Sequence, residues 1–131
     1  MRVVAFMAAE WAELQGETVS ARGFPQIGFA QKRYLWPSVP VVLIVSARAG
    51  QESYPVFFVS AQTPDGDRCG GIEWVAHWPD DPVSPFKYVA SVHHLKFYVA
   101  SPGVYTLGVY TDPDATTALA EIPYEVTLAR P

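Results

Sequence analysis

Leu119-Ala120-Glu121-Ile122-Pro123-Tyr124-Glu125-Val126-Thr127-Leu128 decides the class of fold. Ala120, Ile122, Tyr124, Val126 and Leu128 are apolar or aromatic, and Glu121, Glu125 and Thr127 fall between them. Successive side chains of a strand point to opposite faces. The stretch therefore predicts a half-buried β-strand with its even-numbered residues inward. Immediately upstream, Val104–Thr111 repeats the pattern, with Tyr105, Leu107 and Val109 on one face and Thr106, Gly108 and Tyr110 on the other. Asp112–Ala115 is the turn between the two, and Ser101-Pro102-Gly103 turns the chain into the first of them.

Further upstream, Lys87–Val99 reads as a long strand and 79–85 as a loop of Pro and Asp. Arg68–Trp78 reads as a strand weakened by Gly70-Gly71, and Tyr54–Thr63 as another, joined to it by Pro64-Asp65-Gly66-Asp67. Val39–Ala49 is the most apolar run. It sets Val39, Val41, Leu43 and Val45 on one face and Val42 and Ile44 on the other, so it is either buried on both sides or part of an interface. Phe24–Pro37 is irregular. Residues 2–14 and Glu17–Gly23 read as two strands of a hairpin about Gln15-Gly16. Twelve prolines are spread along the chain, and none of the intervals between them carries a long apolar pattern at helical spacing. The expectation is one all-β domain over 1–131: a single antiparallel β-sandwich, immunoglobulin-like or jelly-roll-like, of about eight strands.

Composition narrows function. Half of the 131 residues are hydrophobic and 17% are charged, where about a quarter is usual. Such a chain packs a thick core or covers part of its surface with a partner. The net charge is −4 and the nine basic residues are scattered, which argues against nucleic acid as a partner. The single cysteine, Cys69, fits neither an internal disulfide nor a zinc motif. The first apolar stretch stops at Glu10, too short for a signal peptide of the usual design, and no window suits a membrane span. A cytoplasmic or virion location is the expectation.

The order Ala9-Glu10-Trp11-Ala12, Gly16, Gly23, Pro40–Val45, Asp65-Gly66 and Pro102-Gly103-Val104-Tyr105 resembles a family of uncharacterised bacterial β-sandwich proteins, a domain of unknown function. Those features run through nearly the whole chain and are mostly turn chemistry. The chain departs from the family pattern in its long Phe24–Trp36 segment and in carrying Gly16-Glu17 for Gly-Lys. The resemblance implies a fold and no activity.

Four residue sets bear on chemistry. His93 and His94 are adjacent on a strand and must point to opposite faces, so one belongs near the core with a hydrogen-bond partner and the other outside. Glu73, His77 and one of that pair would have to converge across strands to hold a metal. Cys69 would need a base such as His77 to act as a nucleophile. Asp65 with Asp67, and Asp80 with Asp81, are oxygen donors in turns, where Asp commonly serves its own backbone. No set demands a catalytic site, and no cofactor is expected.

Aromatic and apolar residues point elsewhere. Tyr34, Trp36, Trp74 and Trp78, with Val42 and Ile44 on the second face of the apolar strand, are the candidate interface residues. The expected function is non-enzymatic: a structural or protein-interaction module, a subunit of an oligomer or larger assembly such as a virion, with protein as its partner. A carbohydrate-type ligand module is the alternative, and a metal-dependent enzyme using His77, His93 or His94 ranks third.

Overall fold

A computed structural model describes residues 2–31, 36–48, 55–77 and 85–128. Those residues form ten strands and no helix. They are β1 (Arg2–Ala8), β2 (Trp11–Gln15), β3 (Thr18–Arg22), β4 (Gly28–Gln31), β5 (Ser38–Arg48), β6 (Val56–Gln62), β7 (Arg68–Val75), β8 (Phe86–Lys96), β9 (Gly103–Tyr110) and β10 (Ala120–Leu128).

Alternation places each strand. In β10, Tyr124 and Val126 are buried and Glu121, Pro123, Glu125 and Thr127 are exposed, as a period of two requires. In β9, Tyr105, Leu107 and Val109 face inward. One three-stranded sheet has the order β1-β5-β8, and a five-stranded sheet has the order β4-β10-β9-β6-β7. Their inner faces share one core, in which Phe6, Val41, Leu43, Val45 and Leu95 meet Phe57, Val59, Leu107, Val109 and Tyr124. Pairing is antiparallel except for β4, which runs parallel to β10 from Gly28 opposite Glu125 to Gln31 opposite Leu128.

The stretch read as one strand over residues 2–14 is two strands, broken at Ala9-Glu10. β1 pairs with β5, while β2 leaves that sheet and pairs with β3. Gly16 turns the β2–β3 hairpin with φ of +64°, and Glu17 after it has no positive φ, the pattern of a two-residue hairpin with Gly in its first position. The hairpin lies on the outer side of the three-stranded sheet. Ala9, Ala12, Val19 and Ala21 form a second small core there with Val42, Ile44 and Val92. The strand with two apolar faces is thereby buried on both. β4, inside the segment read as irregular, is the other addition.

At the corner into β9, the Tyr105 hydroxyl donates to the Ser101 carbonyl at 2.7 Å. Tyr105 is itself buried, and its ring meets Phe97, which meets Tyr124 edge-on at 6.4 Å. This aromatic group closes the end of the core where β8 leaves its sheet. There Tyr98 N–H donates to the Cys69 carbonyl of β7 at 2.9 Å, stitching the exit of β8 to the opposite sheet.

Candidate interaction surfaces

Each residue singled out from the sequence now has a position. On β8, odd-numbered residues face inward, so Lys87 and Ser91 are buried and His93 is half-buried. Ser91 donates its hydroxyl to the Leu43 carbonyl at 2.9 Å, and a ring nitrogen of His93 lies 2.9 Å from Ser91 Oγ. The indole of Trp74 packs against the same imidazole at 5.0 Å. Burial, and then the charge of His94, lowers the His93 pKa and favours the neutral ring. His94 points the other way and is exposed. Ser91 and His93 are thus accounted for by hydrogen bonds within the protein. Among the described residues, no three His, Cys, Asp or Glu side chains gather as metal ligands.

Cys69 is half-buried at the start of β7. Burial pushes its thiol up, opposed in part by a backbone hydrogen bond. A thiol held in the protonated form is a poor nucleophile. Asp65 and Asp67 sit in the exposed turn between β6 and β7, where the Thr63 hydroxyl receives the Asp67 N–H at 3.1 Å. Asp80 and Asp81 lie outside the described residues, as do Tyr34 and Trp78.

Three of the interface candidates sit largely inside the protein. Val42 is 3% exposed beneath the β2–β3 hairpin, and Ile44 packs into the same small core. The chain's own hairpin covers them, so no partner is needed there. Trp74 faces inward because it shares a strand face with Ile72, and it stacks on Phe57 at 5.6 Å. Trp36 differs. It is 58% exposed and touches Tyr98 at 5.4 Å, making an aromatic pair at the surface.

Two surface features had no signal in the sequence, because each is built by strands far apart along the chain. The first is an apolar groove of about 410 Å³ where the end of β1, the Pro25–Ile27 approach to β4, and β10 meet. Met7, Ala8, Ile27, Val104, Ile122 and Pro123 line it, with Glu125 at its rim. Ile27 is 79% exposed and Val104 is 50% exposed. The hydroxyl of Tyr124 donates to Gln26 Oε1 at 2.6 Å and ties this approach segment to β10. Burial, and then the Glu10 carboxylate, raises the Tyr124 pKa well above the phenol range, so the donor stays protonated.

The second is a shallow depression of about 400 Å³ on the outer face of β6 and β7. Across this face Gly71, Ser60 and Gly108 are paired neighbours, leaving a cross-strand row almost without side chains. The Tyr110 ring lies over Gly108, and the Gln62 amide sits 3.5 Å from its hydroxyl. Ser60 Oγ is buried beside the depression and has no hydrogen-bond partner among the described residues. Phe58, Arg68 and Glu73 stand around it, and Arg68 donates to the Pro113 carbonyl.

Comparison of the chain with protein-family models, with curated proteins and with solved structures returns no match. Among the described residues no helix is long and apolar enough to cross a membrane.

Proposed function

We propose that this chain is an immunoglobulin-like β-sandwich that serves as a non-enzymatic protein-interaction module, a subunit of an oligomer or larger particle. Support for the fold comes from strand order. With the β2–β3 hairpin set aside, β1-β5-β8 matches strands A-B-E of that architecture and β10-β9-β6-β7 matches G-F-C-C′. The Tyr105 hydroxyl bonded back to Ser101, at the entry to the F-like strand, is the corner those sandwiches carry. Leu107, fully buried two residues on, stands where antibody domains have a cysteine. The motif order quoted above supports a place beside the uncharacterised bacterial β-sandwich family.

One observation carries the interaction reading: large apolar side chains stand in solvent in contiguous sets, Trp36 with Tyr98 and Ile27 with Val104. Isolated exposed apolar residues are ordinary, whereas grouped ones mark interaction surfaces. A cytoplasmic or particle setting suits such a subunit.

Light scattering across a concentration series tests this reading. The expected result is a mass above that of one chain, rising with concentration and falling back when Trp36 is changed to Ala. The mass of a single chain at every concentration contradicts self-assembly.

A carbohydrate-type module is the second reading, favoured by the unpartnered Ser60 hydroxyl beside the outer depression. Trp74 gives it no aromatic platform, because its ring is turned into the protein. Hits for the native chain on a glycan array would move the choice to it.

A further inference from the structure

β10 is only half covered along one edge. β9 pairs with it continuously from Ala120 to Val126 on one side. On the other side β4 pairs with it only from Glu125 to Leu128, and among the described residues no strand pairs with that edge along Ala120–Tyr124. The polarity of the edge follows from one bond. Glu125 N–H donates to the Ile27 carbonyl at 2.9 Å, so Glu125 directs its backbone groups towards β4. Directions alternate along an antiparallel strand. Glu121 and Pro123 therefore direct theirs the same way. The uncovered edge offers one donor, the Glu121 N–H, and two acceptors, the carbonyls of Glu121 and Pro123. Proline adds no donor.

The apolar groove runs beside this edge, since Ile122, Pro123 and Glu125 belong to both. Its floor is hydrocarbon from Met7, Ala8, Ile27 and Val104, and among the described residues no basic side chain lines it. Carboxylates surround it: Glu125 at the rim, Glu121 on the exposed face of the same edge, and Glu10 close enough to act on Tyr124. An edge of unpaired backbone groups selects an extended peptide, a hydrocarbon floor selects apolar side chains, and a carboxylate rim selects cations.

We infer that the groove along Ala120–Tyr124 receives an extended segment of a partner protein, which adds a strand in the lane that β4 leaves empty and carries alternating apolar and basic side chains. The inference rests on the interaction-module reading and names the chemistry of the partner. Pro123 keeps the register narrow, because the incoming strand must donate to two carbonyls and accept once. Basic side chains on the outer face of that strand reach Glu121 and Glu125, which share that face with Val104, and apolar ones on its other face turn towards Ala8 and Ile122.

Selection from a random library of short linear peptides against the native chain tests it. The expected result is enrichment of alternating apolar and Lys/Arg sequences. Their affinity should fall by about tenfold or more in an Ile27→Asp, Val104→Asp double variant, as for loss of anchor side chains, and should weaken with added salt. Both substitutions lie at exposed positions, and circular dichroism checks that the variant keeps its strands. A Glu121→Lys, Glu125→Lys variant should turn the selection towards acidic peptides. Peptides that bind the Ile27→Asp, Val104→Asp variant equally well would overturn the groove while leaving an interaction module with another face. No enrichment at all, in a chain that is also monomeric, would overturn both. Self-association that is lost in the double variant would make the occupant a second copy and overturn the foreign partner.

Discussion

Gly70→Val should lower unfolding stability by about 3 kcal/mol or more, the upper end of what overpacking costs, whereas Gly71→Ala beside it should change stability by less than about 1 kcal/mol. The two glycines look alike in the sequence and differ by which side they face. A Cβ on Gly70 would run into the Lys96 carbonyl oxygen and come within 2.7 Å of the Phe97 Cα. Both are backbone atoms of the segment that Tyr98 N–H ties to Cys69, so neither can step aside as a flexible side chain would. A Cβ on Gly71 would meet the Val59 carbonyl at 3.3 Å, with Ser60 atoms at 3.6 Å and beyond. Urea denaturation decides the matter: the midpoint should drop steeply for Gly70→Val with the slope unchanged. Equal midpoints for the two variants would mean that β8 does not leave its sheet across β7 as described.

Phe97→Ala should cost about 3–5 kcal/mol, the range for emptying an aromatic site in a packed core. Phe97 is fully buried, and its ring stands against Tyr105 at 5.7 Å and Tyr124 at 6.4 Å. These three come from the exit of β8, the start of β9 and the middle of β10, so the cavity left behind would loosen three strands at once. The Tyr105 and Tyr124 hydroxyls are anchored at the protein's rim, to Ser101 and Gln26, which keeps the rings from collapsing into the gap. Tyr88→Ala, at a position 65% exposed on the other face of β8, should stay within about 0.5 kcal/mol of the native chain. Thermal and urea unfolding of the pair measures both. A small loss for Phe97→Ala would mean that the two sheets do not close on that aromatic group.

Local chemistry made much of this fold legible. Glu121, Glu125 and Thr127 against Tyr124 and Val126 fix the faces of β10 without any long-range information, and Gly16 marks its hairpin. The two faces of β5 were also legible as apolar, but their reason was not. What covers Val42 is a hairpin contributed by residues 11–22, and a period of two says nothing about which strand will lie across another. The break at Ala9-Glu10 was hidden for a similar reason. Strand-forming residues continue through it, and only the tertiary path sends β2 away from β5. β4 was missed because it is short, and its pairing with β10 is parallel and nearly a hundred residues distant.

The candidate site followed the same division. That His93 and His94 must part company is strand geometry and needs one sequence. That Trp74 turns inward while Trp36 stays in solvent depends on which sheet face each strand shows to the other sheet. The groove between β1 and β10 has no sequence signature at all: Met7, Ile27, Val104 and Ile122 are ordinary apolar residues until the strands bring them together. Pro123 bears on the open edge beside it and not on the groove, since proline in a strand belongs on an edge.

Amide hydrogen exchange at Glu121 and Glu125 in the isolated chain tests the open edge most directly. Both lie on the same side of one strand, and among the described residues only Glu125 has a backbone acceptor there, the Ile27 carbonyl. Exchange at Glu125 should be slowed by orders of magnitude, while Glu121 should exchange close to the rate of an unprotected amide. Equal and strong protection at both would mean that the lane beside Ala120–Tyr124 is already filled by the chain itself, and the docking edge would not exist.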